Sequence, residues 1–234
     1  QKHKGWSPFL NVYNWSNGNG GLWDRLVKKV GQEPIIYDAD QVESSVDNIL
    51  DHLEYQGYYG SDVQSDIKVK GKKVSVTYNV TLGRRFPIED ISIDLPSRGE
   101  FRECFLQDTS AMTVRKGDFL SEAALEKESE RSSAAMRNVG FYDFNKNYFF
   151  FEADTTSYPG KAMLKLTVNE YTRNESPRNA SPIRKFYFND INITYPKSLK
   201  IKEKVLRDLT TIYPGDLYGE DKINNTYARL SALR

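Results

Sequence analysis

Two stretches of sequence, 100 residues apart, decide how the chain is built. Residues 84–96 are Arg-Arg-Phe-Pro-Ile-Glu-Asp-Ile-Ser-Ile-Asp-Leu-Pro, and residues 184–196 are Arg-Lys-Phe-Tyr-Phe-Asn-Asp-Ile-Asn-Ile-Thr-Tyr-Pro. Each stretch alternates apolar and polar side chains and ends at a proline, which is typical of a β-strand. The alternation changes phase at Glu89 and Asp90, which predicts a β-bulge there. The chain is therefore predicted to contain tandem copies of one folding unit.

A second repeated stretch follows each of these strands. Residues 116–125, which begin Lys-Gly-Asp, align with residues 214–223, which begin Pro-Gly-Asp. A related stretch at 34–42 marks the same place in an earlier copy. Each copy is predicted to run strand, helix, helix, strand, strand, because helical and strand periodicities alternate in that order.

A glycine followed by two aromatic residues closes the second helix of the first two copies. The glycines stand at the position after a helix end where a left-handed conformation is common, and glycine adopts that conformation most readily. We therefore assign a structural role to Gly57, Tyr58, Tyr59, Gly140, Phe141 and Tyr142.

The repeats predict the domain boundaries. Residues 1–83 form the first unit, residues 84–171 the second, and residues 172–182 a polar linker that contains two prolines. Residues 183–234 supply the first part of a third unit, whose aromatic turn would fall at about residue 238 by the same spacing.

Within the first unit, the pattern predicts an opening strand, two helices and a β-hairpin. An opening strand covers residues 9–13, and a short helix covers residues 22–30. A longer helix with an apolar stripe from Val42 to Leu53 is capped by Asp38. A β-hairpin then turns at Gly71, because alternating runs flank a Lys-Gly-Lys sequence.

The second unit is predicted with the same order. Its elements are a strand over 84–95, helices over 100–111 and 122–138, and strands over 148–155 and 162–170. In the second helix, small side chains such as Ser132 and Ala135 favour close packing against a neighbouring layer.

The composition excludes several classes of function. Lysine and arginine number 33 against 32 aspartates and glutamates, so the net charge of +1 does not resemble that of a nucleic-acid-binding protein. One cysteine, Cys104, forms no internal disulfide, and with His3 and His52 it gives too few ligands for a structural zinc site. No apolar run approaches the ~18 residues of a membrane-spanning helix.

Catalytic chemistry has little support in this sequence. His52 follows Asp51, and Ser44 or Ser45 could be added to them, but no nucleophile elbow or oxyanion loop accompanies these residues. Such side chains are ordinary on a helix surface. We predict no catalytic residue, no cofactor-binding residue and no metal ligand; a secreted enzyme domain remains the alternative from another class.

An aromatic run, Tyr148 to Phe151, carries more information. Successive side chains of a strand point to opposite faces, so aromatic groups are expected on both faces of a sheet whose helices cover one. The uncovered aromatic groups meet either a neighbouring unit or Phe86, or an incoming polypeptide or partner subunit.

Tandem units of this order and size, each with a Gly-aromatic turn, resemble polypeptide-transport-associated (POTRA) domains. The resemblance implies an α+β fold in which every unit is β-α-α-β-β, with two helices packed on one face of a three-stranded mixed sheet. Residues 22–38, Leu-Trp-Asp-Arg-Leu-Val-Lys-Lys-Val-Gly-Gln-Glu-Pro-Ile-Ile-Tyr-Asp, are similar to the opening of the BamA/TamA-like outer-membrane lipoproteins called TamL in Bacteroidetes. Gln32 departs from that pattern, which has glycine before the glutamate.

The resemblance implies a non-enzymatic, periplasm-facing part of an outer-membrane protein. Its expected partners are client outer-membrane polypeptides, envelope assembly proteins and its own C-terminal barrel, with no nucleic acid, small-molecule substrate or cofactor. A two-partner secretion transporter or a division protein is the alternative among POTRA-bearing proteins. In POTRA domains the second strand is a sheet edge that can accept a peptide strand. This predicts partner binding at Val63, Ile67, Val69, Tyr148, Phe149, Phe150 and Phe151.

Overall fold

The computed structural model describes residues 25–27, 29, 37–71, 73–96, 98–172, 174, 175, 178, 180–195 and 201–232. The chain divides into two compact units, Gln1–Asn48 with Gln64–Asn79, and Ile49–Val63 with Val80–Arg234. The predicted strand over 9–13 lies outside the described residues, as does most of the predicted helix over 22–30. The domain boundaries proposed from the repeats remain predictions.

The first long helix and the hairpin form as their sequence patterns predict. Helix α1 spans Ala39–Tyr55, and Asp38 caps it, because its Oδ1 accepts a hydrogen bond from the Asp40 N–H at 3.0 Å. Strands β1, Asp62–Lys70, and β2, Lys73–Thr81, are neighbours in a two-stranded sheet.

A three-stranded mixed sheet lies at the centre of the second compact unit. Its strands are β3, Ile88–Asp94, β4, Phe149–Asp154, and β5, Ala162–Val168. Strand β5 is central, parallel to β3 and antiparallel to β4, so β4 is one edge of the sheet. The register shifts between Ile88 and Asp90, which confirms the predicted bulge.

Two helices cover one face of this sheet. Helix α2 spans Glu100–Asp108 and continues as a 3-10 turn to Ala111, and helix α3 spans Glu122–Asn138. Apolar residues of both helices and of the sheet share one buried cluster: Leu95, Phe101, Phe105, Met112, Met136, Phe141, Phe144, Phe149, Leu166 and Val168. The predicted α+β fold, with helices on one face of a mixed sheet, is confirmed.

A buried ionic network fixes α2 against α3. Glu128 is only 1 % exposed, and its Oε2 accepts hydrogen bonds from the N–H and the hydroxyl of Thr113. Arg131 donates to both Glu128 and Asp108, at 2.7 Å for the shortest contact in each case. Each of the three charged side chains in this network has a partner of opposite charge. The network therefore fixes the relative position of the two helices without leaving an unpaired ion.

The third copy contains two helices but not the predicted strand. Helices α4, Glu203–Leu209, and α5, Glu220–Ser231, form as expected from the repeat. Residues 184–195 were expected to form a strand equivalent to β3, and this expectation is wrong for the described structure, which has only an isolated bridge between Tyr187 and Leu217 there. Strand β3 exists because β5 pairs with it, whereas no described strand pairs with residues 189–195.

Candidate functional site

The turn that follows helix α1 lies against the start of the next copy. Tyr59 and Arg84 form an antiparallel bridge in which each main-chain N–H donates to the other residue's carbonyl at 2.9 Å. The Gly83 N–H donates to the Ser61 hydroxyl at 3.0 Å. We call this contact, of residues 57–61 with residues 83–88 and 117–121, the first junction.

The turn after helix α3 makes a corresponding contact with the third copy. The Phe186 N–H donates to the Gly140 carbonyl at 2.9 Å. The Tyr142 ring stacks edge-on against the rings of Phe186 and Tyr218, with centroids 5.7 and 4.9 Å away. We call this contact, of residues 137–142 with residues 184–188 and 215–221, the second junction.

Three main-chain hydrogen bonds occur at equivalent positions beside the two junctions. They connect the strand-like stretch that follows the turn to the Lys-Gly-Asp or Pro-Gly-Asp loop. In the second copy they run from Ile88 N to Asp118 O, Gly117 N to Ile88 O and Leu120 N to Phe86 O, and in the third from Phe188 N to Asp216 O, Gly215 N to Phe188 O and Tyr218 N to Phe186 O. The sequence repeat is therefore also a structural repeat.

A larger residue at either turn glycine would disturb the packing of the junction. Gly57 and Gly140 have φ values of +87° and +106°. A Cβ atom on Gly57 would lie 2.2 Å from the Leu120 carbonyl oxygen, and one on Gly140 would lie 2.6 Å from Leu217 Cδ1. Glycine at these positions permits both the left-handed backbone and the close approach of the next copy.

A cation lies on aromatic rings in each junction. At the first, the Arg85 guanidinium lies 4.9 Å from the Tyr58 ring centroid and 4.2 Å from that of Phe119. At the second, the Lys185 ammonium lies 5.8 Å from the Phe141 ring centroid and 3.6 Å from a Glu100 carboxylate oxygen. The aromatic residues of the turns therefore bind a cationic side chain of the next copy through cation–π contacts.

Polar groups at the helix ends complete the second junction. Arg137 and Glu220 form an ion pair at 2.9 Å. Gly219, which precedes α5, offers no side-chain cap, and the Asn138 Oδ1 atom accepts the Asp221 N–H at 2.9 Å instead. Asn138 at the end of α3 therefore caps the helix of the next copy.

The outer side of strand β4 has no neighbouring strand among the described residues. The Tyr148 carbonyl accepts the Asn169 N–H at 3.2 Å, which fixes the phase of the antiparallel ladder. Phe150 and Glu152 consequently direct their main-chain groups towards β5, and Phe151 and Ala153 direct theirs to the outer side. The opposite edge differs, because the start of β3 is hydrogen-bonded to residues 117 and 118.

The four residues of the aromatic run occupy different environments. Tyr148 lies in a 3-10 turn just before β4 and packs on the main core. Phe149 is fully buried at 0 % exposure, and Phe151 stacks beside it with centroids 6.2 Å apart. Phe150 points to the sheet face opposite the helices and contacts the Tyr171 ring at 5.7 Å. The Phe149 side chain thus belongs to the core rather than to an accessible surface.

A groove runs between the outer side of β4 and helix α3. Its volume is about 700 Å³, and we call it the β4 groove. Leu120, Leu125 and Phe151 supply its apolar surface, and Phe150 and Ala153 lie along the strand side. The remaining lining residues are Tyr55, Tyr59, Glu122, Glu126, Ser129, Lys146, Asn147 and Glu152.

A charged network lies at the rim of the β4 groove. The Lys146 ammonium donates to Glu126 at 2.6 Å and to Glu130 at 2.9 Å, and the Tyr55 hydroxyl donates to Glu126 at 2.7 Å. Hydrogen bonds from Lys146 and Tyr55 hold the pKa of Glu126 below its usual value. The same carboxylate raises the pKa of the Tyr55 hydroxyl. Sequence reasoning missed this network, because Tyr55 and Glu126 are far apart in the chain.

The three predicted partner-binding residues of β1 lie along that strand. Val63 is buried, whereas Ile67 and Val69 are exposed, Val69 to 69 %.

Of the side chains considered for catalysis or metal binding, His52 and Cys104 lie on helices α1 and α2. His52 lies on α1, 6.4 Å from the Tyr55 ring, and Cys104 is half-buried against the core. No described group of three or more His, Cys, Asp or Glu side chains is arranged to hold a metal ion. None of the described helices combines the length and the apolar composition that crossing a membrane requires.

Comparison with known proteins agrees with this architecture. The POTRA family model, described as surface antigen variable number repeat, matches residues 17–83. No curated protein matches the chain at a significant level. Among solved structures, POTRA domains 3–5 of BamA from Haemophilus influenzae are similar, with 15% identity, 86% of this chain and 73% of that chain covered, and a TM-score of 0.51. POTRA domains 1–2 of the periplasmic domain of Omp85 from Anabaena have 10% identity, cover 64% of this chain and 78% of theirs, and give a TM-score of 0.36.

These observations define the class of fold. The mixed sheet covered by two helices is the POTRA fold seen in the Haemophilus structure. Residues 17–83 match the POTRA family model, and the fold of the chain is similar to that of the BamA POTRA domains of Haemophilus influenzae.

Proposed function

We propose that this chain is the periplasmic POTRA region of an outer-membrane protein assembly or translocation factor. In this proposal the chain is not an enzyme, and strand β4 binds client polypeptides or partner subunits by strand addition. The observation that carries the proposal is the outer side of β4, which has no neighbouring strand within the described part of the chain and lies beside a groove of about 700 Å³.

The main chain of β4 suits this role. Phe151 and Ala153 present N–H and C=O groups away from β5, and an added strand would satisfy them with main-chain hydrogen bonds. Main-chain recognition tolerates many sequences, which a receptor for varied clients needs. The adjacent β4 groove offers room for the side chains of the added strand that point towards α3.

Photo-crosslinking in cells tests the proposal. A photoreactive residue at Glu152 or Ala153 lies on the exposed outer part of β4, and the same residue at Glu103, an exposed position of α2, serves as the matched control. We expect adducts with envelope polypeptides at the β4 positions and few at Glu103. Uniform absence of adducts at Glu152 and Ala153 would contradict the proposal.

The narrower assignment to TamL-type lipoproteins is part of the same proposal. It rests on the similarity of residues 22–38 to the opening of those proteins. Detection of a lipid-modified cysteine upstream of Gln1 and of barrel strands downstream of Arg234 in the complete protein would support it. A complete protein with neither feature would contradict it.

A further inference from the structure

We infer that the β4 groove selects extended polypeptide segments that carry lysine or arginine side chains. This inference rests on the strand addition proposed above and specifies the chemistry of the bound segment. The observations behind it are the charges on the two sides of β4.

The helix side of β4 carries an excess of carboxylates. Glu122 and Glu126 belong to α3 and line the β4 groove, and Lys146 is the one cation among the lining residues. The charge of Lys146 is already shared between Glu126 and Glu130 through its two hydrogen bonds. Glu122 has no such ion pair among the described residues. A side chain entering the groove therefore meets a net negative surface.

The opposite face of the sheet has the same sign of charge beside β4. A shallow hollow there, of about 320 Å³, is lined by Asp90, Glu152 and Asp154 with Lys165 as its cation. Lys165 is itself 3.7 Å from a carboxylate oxygen of Asp94. Because side chains of an added strand alternate between the two faces, both rows would lie near carboxylates.

The negative charge is local rather than general. The whole chain carries a net charge of +1, so the carboxylates beside β4 are not a consequence of an acidic composition. Charges on an edge strand also disfavour pairing with a second copy of the same edge, because like charges would then face each other. The same charges attract a strand of opposite sign. Strand β4 should therefore pair poorly with β4 of a second copy and bind a cationic segment more readily.

The electrostatic environment of the groove tyrosines agrees with this distribution. Burial raises the pKa of the Tyr59 hydroxyl, and the carboxylates of Glu122 and Glu54 raise it further. The pKa of Tyr55 is raised at the same end of the groove, first by its hydrogen bond to Glu126. Both tyrosines therefore stay neutral donors, with aromatic faces that suit a lysine or arginine side chain.

Fluorescence anisotropy with the 234-residue chain tests the inference. Three labelled peptides of about ten residues would alternate valine with lysine, glutamine or glutamate, so that only the charge differs. We expect the lysine peptide to bind about five- to tenfold more tightly than the glutamine peptide, and the glutamate peptide to bind most weakly. The preference should shrink as salt rises from about 0.05 to about 0.5 M.

Two variants locate the effect. The double substitution Glu122→Gln with Glu152→Gln removes two carboxylates with little change in shape, and it should reduce the preference for lysine by about threefold or more. Glu103→Gln, at an exposed position on α2, is the control and should leave the preference unchanged.

An edge-blocking variant separates this inference from the proposed function. Ala153→Pro removes a main-chain N–H that points away from β5, so no hydrogen bond between β4 and β5 is lost. Ala153→Ser keeps that N–H and serves as its control. Weaker binding of every peptide to Ala153→Pro, with the lysine preference present in the parent chain, supports both proposals. Equal binding of the three peptides, abolished by Ala153→Pro, overturns the inference and supports strand addition. Failure of all three to bind the parent chain overturns both.

Discussion

At the first junction Gly57 lies against main-chain atoms, whereas at the second junction Gly140 lies against a side chain. The main-chain hydrogen bonds of the adjoining loops are equivalent in the two, so the backbone arrangement is repeated while the side chains differ. A carbonyl oxygen cannot move without disturbing its helix or loop, but the end of a leucine can. The two junctions therefore share a backbone arrangement, but the second should tolerate a larger residue at its turn glycine better than the first.

The largest difference is expected for alanine at the two glycines. Gly57→Ala combines a positive φ with a Cβ 2.2 Å from the Leu120 oxygen, so it should reduce the free energy of unfolding by about 3 kcal/mol. Gly140→Ala should cost about 1–2 kcal/mol, because Leu217 can change rotamer. Urea unfolding followed by circular dichroism measures both.

Gly60→Ala is the control for this pair. Gly60 also has a positive φ, +71°, but a Cβ there would meet nothing within 4 Å. The loss of unfolding free energy in Gly60→Ala therefore measures the backbone strain without the steric clash. Equal costs at Gly57 and Gly60 would show that the close approach to Leu120 does not matter.

The cations provide the next comparison. Arg85→Gln should cost about 1–2 kcal/mol, because its guanidinium contacts two rings, while Lys185→Gln should cost about 0.5 kcal/mol. Within the described residues, Arg85 Nε is buried without a hydrogen-bond partner, and the guanidinium lies over the Tyr58 and Phe119 rings. A greater loss of stability at Lys185 than at Arg85 would contradict this ranking.

A smaller effect is expected at the helix cap of the second junction. Asn138→Ala removes the acceptor for the Asp221 N–H and should destabilise the first turn of α5 by about 1 kcal/mol. Hydrogen exchange of the Asp221 amide reports this directly. Ser121→Ala removes the local cap of α3 and serves as the counterpart from the first junction. Unchanged exchange at Asp221 in Asn138→Ala would exclude a capping role.

The smallest expected effect is a pH dependence of the charged network at the rim of the β4 groove. The pKa of Glu126 is lowered in the folded chain, so its contacts with Lys146 and Tyr55 stabilise the fold above the usual pKa of 4.5. This contribution is lost as the pH falls through the lowered value. NMR titration of Glu126 should give a midpoint below 4.5, and Lys146→Met should move it upward. A midpoint unaffected by Lys146→Met would argue against the ion pair.

Repetition made much of this architecture predictable from sequence. The spacing between residues 84–96 and 184–196 identified equivalent segments, and the structure gives them equivalent hydrogen bonds to their loops. Helix α3 has the predicted bounds, because Ser121 is a good cap and Gly140 ends the turn that follows. The bulge near Glu89 was visible as a change in alternation.

Features that depend on distant partners were not predictable in this way. A strand pattern at residues 184–195 did not produce a strand, because strand formation requires a neighbour to pair with. The sequence does not indicate that Asn138 caps helix α5, which begins more than eighty residues later. The N-cap position of α5 itself is occupied by Gly219, which has no side chain to act as a cap. Phe149 and Phe150 looked alike in sequence, and only the sheet register assigns one to the core.

The cap that Asn138 supplies has a consequence for the order in which the chain folds. Polypeptides are synthesised from the N-terminus, so α3 and its turn are complete before α5 is made. The first turn of α5 then forms on a surface that already holds an acceptor for its Asp221 amide. The finished second copy can thus act as a template for the third, which lowers the nucleation cost of α5.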